Sequence, residues 1–262
     1  MFSNFKTKLP RAIVLGFCLL CMLCFRSVGQ DFSSMATNAP RFKAFISKLC
    51  PDVPEFSAKT SEEIFDGQGK LRMSLPTHFA LRGDNFRQEI DMTAMPQIPP
   101  EQRKAMEFLK LDKLTLITRV DRKRVYLVFS GIHAYLEFPL SETFLNDLNV
   151  QTTAVNLQKT KIGTETINGH FCTKIKVTAS EPNKPTEEAI LWCVADLQQL
   201  PIKIESVVKD RMVRIEFQDV QIAKPNASLF ELPADYVRLS DSKEILPYAT
   251  AKQRDGKSAV PK

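Results

Sequence analysis

From Phe56 to about Ala223 the apolar residues recur at every second position, in short stretches separated by turn residues. A period of two places successive side chains on opposite faces of an extended backbone. Such a chain hides its apolar half by joining strands into a sheet and covering one face. "KLRMSL" sets Leu71, Met73 and Leu75 against polar or small neighbours. "HFALRGDNFRQEIDM" reads as two strands around a Gly83-Asp84-Asn85 turn, with Phe86, Gln88 and Ile90 on one face and Arg87, Glu89 and Asp91 on the other. Asn168-Gly169 is a strong hairpin signal, because both residues tolerate a left-handed backbone. After it Phe171, Thr173, Ile175 and Val177 share a face, and Cys172, Lys174 and Lys176 share the other.

The alternation is interrupted in a few places. "MPQIPPEQRKAMEFLKLD" holds three prolines and predicts a short helix from Pro100 to Leu109. "KLTLITRVDRKRVYLVFSGIHAYLEFPL" predicts three strands, with turns at Asp121-Arg122-Lys123 and Ser130-Gly131. "SETFLNDL" predicts a short helix capped by Ser141. "EEAILWCVADLQQLPIKIESVV" predicts two strands parted at Leu200-Pro201, and "DRMVRIEFQDVQIA" one more. Ahead of the sheet, "NAPRFKAFISKLC" predicts a helix with Asn38 as cap and Phe42, Phe45, Ile46 and Leu49 on one side. No segment of 20–50 residues repeats, so a solenoid or propeller is excluded. The expected fold is mainly β with some helix: a strongly curved, half-open antiparallel barrel of about 9–11 strands with 2–3 short capping helices. The Phe42/Leu49 helix is the natural plug.

The ends of the chain differ in kind. Lys6, Lys8 and Arg11 precede an apolar run of about 14 residues from Ala12 to Phe25, too short for the roughly 20 residues of a membrane span. Arg26 ends it, and Ser27-Val28-Gly29 supplies small residues for a signal peptidase. Residues 1–29 therefore read as an export signal, with retention by an uncleaved segment or a lipid anchor as the alternatives. Cys18, Cys21 and Cys24 fall inside that run as apolar filler, without a His or a fourth Cys nearby to complete a metal site. The first 29 residues carry four of the 36 basic residues and none of the 30 acidic ones, leaving 32 basic against 30 acidic afterwards. Without a concentrated basic face, nucleic-acid binding is not expected. Residues 30–240 are expected to form the domain, and residues 241–262, rich in Ser, Lys, Ala and Pro, a disordered tail.

The final third carries a resemblance. Gly163, Glu165, Ile167 and Gly169 form a "G-x-E-x-I-x-G" hairpin; Trp192, Asp196, Leu197, Pro201 and Lys203 follow as a Trp strand with "D-L-x-x-P-x-K". Phe217, Val220, Pro225, Leu229, Phe230, Pro233 and Tyr236 close the order as "F-x-x-V…P…LF-x-x-P-x-x-Y". This succession resembles the LolA/LolB-like superfamily, the outer-membrane lipoprotein-sorting-like periplasmic proteins. The resemblance implies an open curved sheet capped by helices, an apolar concave surface for acyl chains, and no catalysis. Carriers of that superfamily hold a basic residue near the cavity mouth; Arg72, Arg82 and Arg87 do not align with it.

The chemistry-bearing residues add little. His78, His133 and His170 are not at metal-ligand spacing, no nucleophile motif occurs, and "GQG" at 67–69 is a turn. No cofactor, metal or enzymatic activity is expected. Cys172 and Cys193 fall on neighbouring strands, sharing a face about four residues out of register, roughly 13 Å at a strand's rise. A bulged loop would bring them within bridging distance; two half-buried thiols are the alternative. The candidate site is an apolar cavity lined by Phe79, Phe86, Leu127, Phe129, Leu136, Phe138, Ile175, Trp192, Ile204 and Phe217. At about 0.8 kcal/mol per methylene, a chain of about 14 methylenes brings some 11 kcal/mol before entropy losses. The expected ligand is a lipid, a lipoprotein acyl chain or another apolar molecule, in the periplasm or outer envelope. The alternative is an envelope module with a self-filled core and a protein partner.

Overall fold

The computed structural model describes residues 55–140, 156–180, 186–208 and 210–258. The expected export signal, the helix over 38–50 with Cys50 and the helix over 141–148 lie outside them. Six strands come first: β1 (Phe56–Phe65), β2 (Leu71–Arg82), β3 (Asn85–Asp91), then, after helix α1 (Pro100–Phe108), β4 (Lys113–Arg119), β5 (Arg124–Phe129) and β6 (Ala134–Pro139). The second run is β7 (Asn156–Ile167), β8 (His170–Ser180), β9 (Glu187–Val194), β10 (Leu200–Val208) and β11 (Arg211–Gln221). A two-residue β12 (Val237–Arg238) and helix α2 (Ile245–Ser258) close the described chain.

All twelve strands belong to one curved sheet that does not close, in the order β12-β6-β5-β4-β3-β2-β1-β11-β10-β9-β8-β7. Each run is a meander, the cheapest way to pair consecutive strands. The meanders are joined where β1 lies antiparallel to β11, from Ser57 opposite Gln221 to Phe65 opposite Met212. Only β12 runs parallel to its neighbour, β6. The hairpins use the turn chemistry the residues dictate. Asn168 and Gly169 both have positive φ, 50° and 83°, which the two-residue turn between right-twisted strands requires. The β7 edge carries Lys159 and Lys161 and a register shift between Lys161 and Gly163, features that discourage edge-to-edge pairing.

Two expectations are corrected here. The disordered tail from residue 241 does not hold for its first part. Asp241 accepts from the Lys243 amide at 2.9 Å to start a 3-10 turn at Ser242–Glu244, and α2 follows. Ile245 and Ala249 of α2 are buried in the core beside Leu239, and burial of one narrow face makes this helix despite its polar composition. The Cys172–Cys193 bridge is likewise not formed. Thr173 lies opposite Cys193 and Cys172 opposite Val194, so the offset is one residue and the two side chains point to opposite faces. Both are buried, and no bond joins them.

Candidate apolar ligand site

The strand parities define an inner and an outer face. Inner side chains are Phe56, Ala58, Thr60, Glu62 and Ile64 on β1, with Leu75, Thr77, Phe79 and Leu81 opposite them on β2. β3 contributes Phe86, Gln88 and Ile90, β4 Leu114, Leu116 and Thr118, and β5 Val125, Leu127 and Phe129. Ala134, Leu136 and Phe138 of β6 continue this face.

The apolar residues of this face fall into two clusters. One gathers Ile64, Leu75, Ile90, Leu114, Leu116, Val125, Leu127, Phe129 and Leu136. Met95 and Ile98 of the loop before α1, Met106 of α1 and Ile245, Tyr248 and Ala249 of α2 pack on it. Val125, Leu127 and Ala249 are fully buried there, so this half is a helix-capped core. The other cluster gathers Phe56, Phe79, Leu81, Phe86, Val177, Leu191, Ile204, Ile215 and Phe217, with Ile175 at its margin. Its members are strand residues and their immediate neighbours. Four rings form its centre: Phe56 lies 5.5 Å from Phe79 and 6.2 Å from Phe217, and Phe79 lies 6.2 Å from Phe86.

The ten residues expected to line one cavity are therefore distributed three ways. Phe79, Phe86, Ile175, Ile204 and Phe217 meet in the phenylalanine cluster. Leu127, Phe129, Leu136 and Phe138 belong to the helix-capped core. Trp192 is corrected to the outer face, with Cys172, Val194 and Ile202. There its ring lies between Lys174 and Lys203 of the flanking strands, whose Nζ atoms stand 4.8 and 4.4 Å from the ring centre, and its Nε1–H donates to Glu165 at 2.7 Å. Cations over an indole face are attracted by its quadrupole, so this is a structural clasp across β7–β10.

Between the two apolar clusters runs a band of polar side chains that sequence reading did not single out. It comprises Ser206 on β10, Glu62 and Thr60 on β1, Thr77 on β2, Gln88 on β3 and Thr118 on β4. Thr60 lies opposite Thr77, and their hydroxyls share a hydrogen bond. Gln88 lies one diagonal step from Thr77, since Thr77 pairs with Ile90 and Phe79 with Gln88; Thr118 lies one further step on, opposite Phe86. Such diagonal neighbours stand roughly 7–8 Å apart. All but Thr60 are buried: Gln88 is 6% exposed, Thr118 0% and Glu62 3%. The amide oxygen of Gln88 and the hydroxyl of Thr118 make no hydrogen bond. The signal for Gln88 was its place between Phe86 and Ile90, on the apolar parity of β3.

The outer face of β2–β6 is closed by the segment 222–239. Phe230 packs on Ala80, Ile117, Tyr126 and Val128, flanked by Leu232 and Tyr236. Three arginines hold this strap by its carbonyls: Arg82 donates to Pro225 at 2.9 Å, Arg87 to Leu229 at 2.8 Å and Arg119 to Phe230 at 3.1 Å. Arg119 also binds Asp121 and Glu231, and Arg122 binds Glu231 at 2.8 Å. The hydrogen bond from Arg119 holds the Asp121 carboxyl below its ordinary range. Burial works the other way at Glu231, but Arg119 and Arg122 prevail and keep that carboxyl low as well. Arg72 pairs with Asp66 at 2.7 Å. Among the described residues no group of three His, Cys, Asp or Glu side chains could hold a metal ion, and no helix is long and apolar enough to cross a membrane. The buried Cys172 thiol is pushed up by desolvation, which makes it a poor nucleophile.

No protein-family model matches the chain, and the search of curated proteins finds no significant match. Among solved structures the chain is similar to the lipoprotein LppX of Mycobacterium tuberculosis, at 12% identity and a TM-score of 0.40, over 75% of this chain and 100% of that one. It is similar to LprF of Mycobacterium bovis at 13% identity and a TM-score of 0.38, over 73% and 96%. A LolA superfamily protein from Nitrosomonas europaea overlaps 71% of this chain and 96% of its own, at 9% identity and a TM-score of 0.34. Similarity at this level says nothing of ligand or partner.

Proposed function

We propose that this is an exported, non-enzymatic binding protein of the cell envelope that holds a lipid or the acyl chain of a lipoprotein against the inner face of its open sheet. The observation that carries this reading is the phenylalanine cluster. A sheet that does not close brings Phe56, Phe79, Phe86 and Phe217 together with aliphatic residues of β8–β11 into one continuous apolar wall. Such a wall binds a hydrocarbon chain by area alone and needs no polar catalytic group. The helix-capped core supplies the rigidity and the phenylalanine half supplies the contact. The periplasm or outer envelope is the proposed location, on the export signal read in residues 1–29.

A second reading is favoured by the depth of burial. Phe56, Phe86 and Leu191 are at most 1% exposed, as they would be in an envelope module whose core is filled by its own side chains. Displacement of the fluorescent probe N-phenyl-1-naphthylamine from the full chain separates the two. Binding of the probe and its displacement by methyl palmitate, both lost in Phe217→Arg but kept in a surface control such as Lys224→Glu, supports the lipid site. A folded wild-type chain that takes up neither molecule supports the filled core.

A further inference from the structure

We infer that the polar band across the inner face reads a hydrogen-bond donor on the bound molecule, so that the ligand is an uncharged amphiphile with a hydroxyl or amide N–H between two apolar parts. The inference rests on the inner face being a ligand site. Its ground is the band itself. On β1, Thr60 and Glu62 stand between Ala58 of the phenylalanine cluster and Ile64 of the capped core. On β2, Thr77 stands between Phe79 and Leu75, and on β3, Gln88 between Phe86 and Ile90. Thr60 faces Thr77 directly, and Gln88 and Thr118 follow diagonally on β3 and β4, so across β1–β4 the wall presents apolar, polar and apolar surface in succession; β11 places Val213 and Ile215 between this series and Ser206.

The chemistry of the band narrows what it can recognise. Gln88 is 6% exposed and Thr118 0% exposed, and each has a buried oxygen without a hydrogen-bond partner. Native interiors rarely leave such atoms unpaired, and a bound group that completes them is one standing explanation. The Gln88 amide oxygen accepts hydrogen bonds and the Thr118 hydroxyl accepts or donates one, so the group that completes Gln88 donates, and a hydroxyl serves both atoms. The band's six members include no lysine or arginine. A phosphate or free carboxylate is therefore a poor match and a hydroxyl a good one. Two further unpartnered buried atoms, on Asn85 and Gln97, lie outside the band.

The test is a matched pair of probes, methyl 12-hydroxystearate and methyl stearate, which differ by one mid-chain hydroxyl and carry no charge. Each displaces N-phenyl-1-naphthylamine from the full chain. The hydroxylated ester is expected to bind about tenfold more tightly to the wild type, as one well-made hydrogen bond to an otherwise orphaned acceptor would give. Gln88→Met with Thr118→Val is expected to abolish that preference, read as the ratio of the two ester affinities in the same protein. Melting temperatures of the apo proteins check that the variant is folded. Equal affinity of the wild type for the two esters would overturn the proposal and leave the lipid reading intact. Failure of both esters to bind would remove the lipid reading and the proposal with it. A preference retained in the folded double variant would show that other atoms read the hydroxyl and would also overturn it.

Discussion

Replacing Gln88 by methionine should leave the protein as stable as before or more so, although the residue lies in the interior of a central strand. The side chain is 6% exposed, sits between Phe86 and Ile90 on the apolar parity of β3, and its amide oxygen is buried without a partner. Holding such an oxygen out of water costs about 1–3 kcal/mol in the folded state only. Methionine removes that cost and keeps an unbranched chain of similar reach, though with one heavy atom fewer; the resulting gap costs about 1 kcal/mol. The net change is about 0–2 kcal/mol in favour of folding. At about 2–4 °C per kcal/mol for a domain of this size, the melting temperature should hold or rise by up to about 8 °C. An average substitution destabilises by about 1 kcal/mol, so the direction separates the two cases. Urea unfolding of the full chain, followed by circular dichroism with and without the substitution, measures it. A loss of more than about 1 kcal/mol would mean that Gln88 is a satisfied part of the core. It would refute the reasoning that makes the polar band a cost awaiting a ligand.

Other perturbations test other parts of the account. Leu127→Ala, in the core beneath the helices, should cost about 2–5 kcal/mol and lower the melting temperature by about 4–20 °C, with probe affinity of the folded fraction unchanged; altered affinity would put Leu127 in the ligand site. Gly131→Ala should destabilise by about 1–3 kcal/mol in urea, because the added Cβ would stand 2.4 Å from the Lys110 carbonyl oxygen; a neutral result would show that this loop yields freely. Acid should loosen the strap. The carboxyls of Asp121 and Glu231 are held below their ordinary values of 3.8 and 4.5, so their contribution is present above about pH 4.5 and is lost as pH falls through the lowered values. The melting temperature should therefore fall below that pH, and Glu231→Gln should flatten part of the fall; a profile identical to wild type would show that the strap does not depend on Glu231.

The strands were legible because a half-buried sheet writes its two faces into the sequence. Phe86, Gln88 and Ile90 against Arg87, Glu89 and Asp91, and the Asn168-Gly169 hairpin, are found where the alternation placed them. Parity became unreadable where both faces are apolar. "AILWCV" on β9 buries Ala189, Leu191 and Cys193 on one side and Trp192 and Val194 on the other, so nothing local says which side is inner. The pairing of β8 with β9 decides it, and the connection between them sets a register that a symmetric hairpin misjudged. The same lack of local signal hid α2: Ile245, Tyr248 and Ala249 make too narrow an apolar face to stand out among Ser, Lys and Gln, and packing on the core supplies what propensity does not. The polar band was half visible, since Gln88 was placed on the apolar face. Its neighbours Thr60, Thr77 and Thr118 come from separate strands that only the sheet register brings into line.

Native mass spectrometry of the full chain, purified under mild conditions from the envelope of cells that express it, bears most directly on the central claim. The account predicts one uncharged lipid per chain, carrying a hydroxyl or amide group, lost when Phe217 is replaced by arginine. Repeated preparations of folded wild-type protein at its bare mass, with no uptake of added hydroxylated ester, would contradict it.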